Sequence, residues 1–134
     1  MGLDQYAFTK HEEDGERELA CWRKHNRLQG WMEMVYAIKN DTTLEESRWQ
    51  LNSNHLQLTF EDLDALEKAV LNMELPKTSG FFFGVDSYEE WDEDTKKFKG
   101  ITGEYEDKER DIKFIKDARN ALSEGKKVYY YCWW

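Results

Sequence analysis

One proline in 134 residues, two cysteines and three histidines leave little room for several common designs. Cys21 and Cys132 could pair if the fold brought them together, but without an export signal two reduced thiols are expected, and their separation excludes a paired metal motif. His11, His25 and His55 fall in no pair at ligand spacing, so no metal site is expected. No stretch of about 18 apolar residues occurs, so nothing reads as a membrane span. The start, Met1 to Tyr6, carries neither the basic nor the apolar region of a secretory leader. Tyr6 also stands where a myristoylation signal needs Ser or Thr. The expectation is a cytoplasmic chain with both thiols reduced and buried. Positive charge is the other shortage. Lys and Arg number 19 against 28 Asp and Glu, a net charge of −9. That balance argues against direct binding of nucleic-acid backbones and against docking on anionic lipid. No Gly-x-Ser-x-Gly elbow and no phosphate loop is present. Asp92-Glu93-Asp94 begins like a calcium loop, but Lys96 and Lys97 stand where a ligand and a glycine are needed. No cofactor is implied.

What the chain does have is aromatic rings: 6 Trp, 7 Tyr and 7 Phe. With 40% apolar residues, 134 residues suffice for one domain with one core, residues 1–134. Leu3 to Thr9 reads as a strand. From Glu16 to about Ile38 the apolar spacing predicts a helix, with Cys21, His25, Leu28, Met32 and Val35 on one stripe. Gly30 weakens that helix. Residues 39–54 read as irregular or as a short helix. His55 to Leu58 reads as a strand, and Thr59 with Asp62 as the capped start of a second helix. Gly80 to Gly84 reads as a buried strand bounded by glycines. A third helix is predicted over about 107–124, closed by Gly125. Lys126 to Trp134 reads as a final strand. The predicted class is α+β: about four short strands, mixed or antiparallel, packed with about three helices.

Three groups of residues invite a functional reading. Trp22, Arg23, Lys24, Asn26 and Arg27 crowd three positive charges and an indole into an acidic chain. On a helix, Trp22 and Asn26 share one row and Arg23 and Arg27 the next, away from the apolar stripe. Guanidinium forks suit phosphate, and an indole face suits a planar base. The plainer alternative is that the arginines pair with internal acids and Trp22 packs. Tyr131 and Trp133 share one face of the last strand with Tyr129, while Val128, Tyr130, Cys132 and Trp134 point the other way. Such a wall could stack on a ligand, or simply fill the core. Thr78, before the aromatic run, could offer donors to an anion, or could belong to a turn. Cys21 and His25, four apart on the apolar stripe, read as packing. Residues 85–111 carry eleven acids and five bases and read as a solvated surface or as a protein-binding one.

The opening Met1-Gly2-Leu3-Asp4-Gln5-Tyr6, the Glu18-Leu19…Trp22-Arg23-Lys24…Asn26 segment with Trp31, the Leu75-Pro76…Thr78…Gly80-Phe81-Phe82-Phe83-Gly84 run and the closing Trp133-Trp134 resemble a family of small bacteriophage and bacterial proteins. The resemblance spans the whole chain. It implies a phage accessory protein acting in the bacterial cytoplasm, of a class that often counters host defence. Combined with the residues, the leading expectation is a non-enzymatic protein that sequesters an anionic planar ligand, such as a nucleotide-derived defence signal. Trp22, Arg23, Lys24, Asn26, Arg27, Thr78, Tyr131 and Trp133 would form its site. The alternative is an acidic inhibitor of a host defence or nucleic-acid-binding protein, with residues 86–111 imitating phosphate spacing.

Overall fold

The computed structural model describes residues 2–13, 15–80, 82–101 and 104–134, and for residues 90, 91 and 98–101 the backbone only. In chain order the elements are β1 (Asp4–His11), β2 (Gly15–Arg23), α1 (Asn26–Asn40), α2 (Leu44–Leu51), β3 (His55–Leu58), α3 (Phe60–Leu71), β4 (Glu89–Asp92), β5 (Lys97–Ile101), α4 (Lys108–Ser123) and β6 (Lys127–Trp133). Four strands form one sheet in the order β2-β1-β6-β3, and β4 and β5 form a separate ribbon. Every strand pair is antiparallel. The α+β class is thus as expected.

Strand β6 organises the sheet. Its alternation puts Val128, Tyr130 and Cys132 inside, each fully buried. Tyr129, Tyr131 and Trp133 project from the other face, as the period of two requires. The inward residues meet Ala7 of β1, Leu56 and Leu58 of β3, and the apolar sides of the helices in one core. Helix α3 starts where the sequence placed it. The Thr59 hydroxyl accepts from Asp62 N at 3.2 Å, and Asp62 Oδ2 accepts from Thr59 N at 2.9 Å. A reciprocal cap of this kind contributes about 1 kcal/mol. Helix α4 turns Phe114, Ile115, Ala118 and Ala121 to the core, and Gly125 follows at φ 82°, where a side chain would be strained.

Three expectations fail, the last being the burial of Cys21. The single helix over 16–38 is a strand, a turn and a helix. Residues 15–23 pair with β1 along their length, Tyr6 opposite Cys21 and Gln5 opposite Trp22. Sheet pairing overrides a segment rich in helix formers, and α1 begins only at Asn26. Trp22 and Arg23 therefore belong to β2, and no helical face unites them with Asn26 and Arg27. Nor do the residues before Gly84 form a strand. Phe83 N donates to Gly80 O at 3.1 Å, closing a turn, and Gly84 has φ 77°. Phe81, part of that expected strand, lies outside the described residues. The thiols divide: Cys132 is buried and Cys21 exposed, both free.

Candidate functional site

The expected site residues disperse. Trp22 is buried, its ring edge-on to Phe114 at 5.2 Å. Its indole Nε1 donates to Asp111 Oδ1 at 2.8 Å. Asn26 is fully buried, and its amide nitrogen donates to the Phe83 and Val85 carbonyls. Arg27 donates Nε and Nη2 to the two oxygens of Asp86 at 2.6 and 2.8 Å, and Nη1 to Leu75 O at 2.8 Å. Its guanidinium also lies 4.0 Å over the Tyr88 ring. That pairing holds the Asp86 carboxyl below the usual aspartate range, the Arg27 hydrogen bonds being the main cause. These three side chains are structural. Lys24 is exposed at φ 54°, in the turn between β2 and α1. Arg23, Tyr131 and Trp133 do share a surface: Asp4 stands opposite both Arg23 and Trp133, and Tyr6 opposite Tyr131. Thr78 lies elsewhere, its hydroxyl donating to Pro76 O at 2.9 Å.

The buried side of α1 is held by a polar knot with no signature in the sequence. His25 and Asp111 are fully buried. His25 Nε2 lies 2.8 Å from Asp111 Oδ2, and Nδ1 lies 2.9 Å from Ser87 Oγ. Tyr105 donates to the same Asp111 oxygen at 2.6 Å. Carboxylate oxygens accept, so the partners assign the ring proton to Nε2 and leave Nδ1 to accept from Ser87. The Ser87–His25–Asp111 chain has the order of a hydrolase relay, but its ring and carboxylate are sealed. Its serine accepts Arg27 N–H at 3.3 Å, capping the start of α1, where the His25 side chain makes no cap bond. We read it as a helix cap built from a distant turn.

A second polar thread crosses the core and ends at an opening. Gln5 Nε2 donates to Tyr130 Oη at 2.9 Å, and Tyr130 donates to Gln29 Oε1 at 2.5 Å. Gln29 Nε2 donates to Glu33 Oε2 at 3.0 Å, and Glu33 Oε1 accepts from Arg48 Nε at 3.2 Å. Glu33 is almost buried, and burial pushes its carboxyl above the usual range despite Gln29 and Arg48. Arg48 keeps 32% of its side chain exposed. Its Nη1 donates to Ser79 O at 2.8 Å, and its guanidinium lies 4.9 Å from the Phe83 ring centre. Among the described residues, its Nη2 donates to nothing.

Arg48 and Trp49 line two hollows at once. One, of about 520 Å³, is mixed in character, with Glu33, Glu45, Lys77, Thr78 and Ser79 alongside Met34, Leu44 and Pro76. The other, of about 300 Å³, is walled by Phe82, Phe83 and Trp134. Gly30 makes the first possible: a Cβ there would sit 1.8 Å from Thr78 Oγ1. The glycine expected to weaken α1 instead admits the 76–79 segment against it. Trp134 is fixed by Asn52, which accepts from its N–H at 3.0 Å and donates to its carbonyl at 3.3 Å. Its ring lies 5.2 Å from that of Trp49 and 5.6 Å from Phe83. Trp49 is 65% exposed. Sequence reasoning missed Arg48 and Glu33 because their partners lie in three separate segments, and it placed only Thr78 at this opening.

Among the described residues no group of three His, Cys, Asp or Glu side chains is placed to hold a metal ion, and no helix is long and apolar enough to cross a membrane. Two acids of the 86–111 stretch, Asp86 and Asp111, are spent internally. No family model, no curated protein and no solved structure matches the chain.

Proposed function

We propose that the protein is a non-enzymatic binder of a small planar ligand carrying one anionic group, held in the paired hollow at Arg48. The observation that carries this reading is a partly exposed guanidinium, with an undonated Nη2, at the seam between a hollow of mixed polarity and an aromatic one. Together the hollows have the size of a small-molecule site. The planar group stacks on the exposed indole of Trp49. The anionic group meets Arg48 Nη2 and Lys77, with the Ser79 hydroxyl supplying a further donor. Glu33 and Glu45 offset the two cations, which favours a single phosphate over a polyphosphate chain. A mononucleotide or a cyclic nucleotide has this chemistry. Sequestration of such a signal in the bacterial cytoplasm agrees with the resemblance to phage accessory proteins.

Titration with mononucleotides and cyclic nucleotides, followed by tryptophan fluorescence and calorimetry, tests it. Quenching of Trp49 is expected. Arg48→Met is expected to weaken binding about tenfold or more, the worth of a charge-assisted contact. Arg23→Ala is expected to leave it unchanged. Absence of binding at millimolar ligand, or affinity indifferent to both Arg48→Met and Trp49→Ala, overturns the proposal.

A further inference from the structure

The face of the four-stranded sheet opposite the core is covered by no helix, and its register sets out four rows. Arg23, Asp4 and Trp133 stand across from one another, and then Cys21, Tyr6, Tyr131 and His55. Glu18, Phe8, Tyr129 and Gln57 follow, and Glu16, Lys10 and Lys127 close the far end. The two middle rows hold a continuous ring cluster. Tyr6 meets Tyr131 at 6.4 Å, Phe8 stacks on Tyr129 at 5.4 Å, and His55 touches Phe8, Tyr129 and Tyr131. Tyr6 remains 38% exposed and Trp133 62%. Three bases and three acids occupy the face, so it carries no net charge while the chain carries −9. Two acidic copies repel each other everywhere except across such a surface.

We propose that this face binds a second copy of the chain. A two-fold axis in the plane of the face, perpendicular to the strands and midway between the ring rows, lays β1 over the partner's β1 in reverse. The operation places Arg23 over Glu16 and Asp4 over Lys10. It also sets Trp133 over Lys127, an indole over an ammonium. Tyr6 faces Phe8, and Tyr131 faces Tyr129. The two outer rows meet complementary groups and the Tyr and Phe rings meet rings, while Glu18 meets Cys21 and His55 meets Gln57, as this isologous arrangement places them. The alternative mode, edge-to-edge pairing, is guarded. The β2 edge carries Glu16, Arg17 and Glu18 with an irregular register beside them, and β3 has only four residues. From strand spacing and rise, the face covers about 20 by 19 Å. Two such faces give about 800 Å² before the projecting rings are counted, below the roughly 1,200 Å² where specific stable interfaces begin and within the range of weak, transient ones. The dimer is therefore reversible, with dissociation in the micromolar range or weaker.

Sedimentation and light scattering across a concentration series on the full chain test it. A monomer–dimer equilibrium is expected, abolished by Tyr131→Arg. Arg23→Glu, which sets acid against acid twice per dimer, is expected to weaken it about tenfold. Combining Arg23→Glu with Glu16→Arg is expected to restore it, because the swapped charges pair again. Circular dichroism of each variant separates loss of fold from loss of assembly, and Arg23 and Glu16 are exposed enough to change without unfolding. A chain that stays monomeric at millimolar concentration overturns the proposal and leaves the face to a different partner. So does a dimer indifferent to Arg23→Glu, or one that the double variant fails to restore.

Discussion

Helix α1 meets an arginine–carboxylate pair at each of two places, and the pairs have opposite characters. At its start, Arg27 spends all three guanidinium nitrogens on Asp86 and Leu75, with 9% of its side chain exposed. Two turns on, Glu33 receives only one nitrogen of Arg48, at 3.2 Å, and that guanidinium stays 32% exposed. Their carboxyls shift in opposite directions: Asp86 downward because Arg27 grips it, Glu33 upward because burial outweighs a looser partner. A positive charge in an acidic chain is thus not in itself a sign of a site. The sign is a charge whose donors are incompletely used beside an empty volume.

The largest expected effect lies at the sealed end. Asp111→Ala removes the acceptor of Trp22, His25 and Tyr105 together, and about 3–5 kcal/mol of stability should go with it. Urea unfolding measures this, and a loss under 1 kcal/mol would show that the knot is not what fixes α1. Arg27→Met comes next, at about 2–3 kcal/mol, since it strands the Asp86 carboxylate and the Leu75 carbonyl. Its pH dependence follows from the lowered Asp86 value. The pair's contribution is present above the ordinary aspartate value of 3.8 and fades as pH falls through the depressed folded value. The gap between wild type and Arg27→Met should therefore hold down to about pH 4 and close only below it. Smallest is Arg48→Met, about 1 kcal/mol at neutral pH. Glu33 titrates above the ordinary glutamate value of 4.5, and higher still without Arg48. This gap should close on acidification before that of Arg27→Met begins to. Paired melts from pH 7 to pH 3 would sharpen the comparison, and closure in the reverse order would break it.

How much of this the sequence discloses depends on how local each signal is. Helix α3 carries its cap in Thr59 and Asp62, α4 its stripe and Gly125, and β6 its alternation. Each is readable within a few residues. Strand β2 is not, because Glu16 to Arg23 is helix-compatible composition and only pairing with β1 makes it extended. Once that strand is misread, Trp22, Arg23, Asn26 and Arg27 look like a single surface. The hollow at Arg48 depends on Gly30, Glu33, Trp49, Thr78 and Trp134 meeting from distant segments, and no spacing rule joins them. Arg27 meets Asp86 across 59 positions, so its neutralisation was equally invisible.

The thread from Gln5 through Tyr130 and Gln29 to Glu33 has a consequence for signalling within the molecule. Whatever draws Arg48 away from Glu33 removes a cation facing a buried carboxylate, and that carboxyl is expected to shift further upward. The phenol of Tyr130 stands two hydrogen bonds from that carboxylate, on a strand whose alternate side chains build the outward ring cluster. One continuous thread of hydrogen bonds thus joins the hollow at Arg48 to the strand that carries the outward rings.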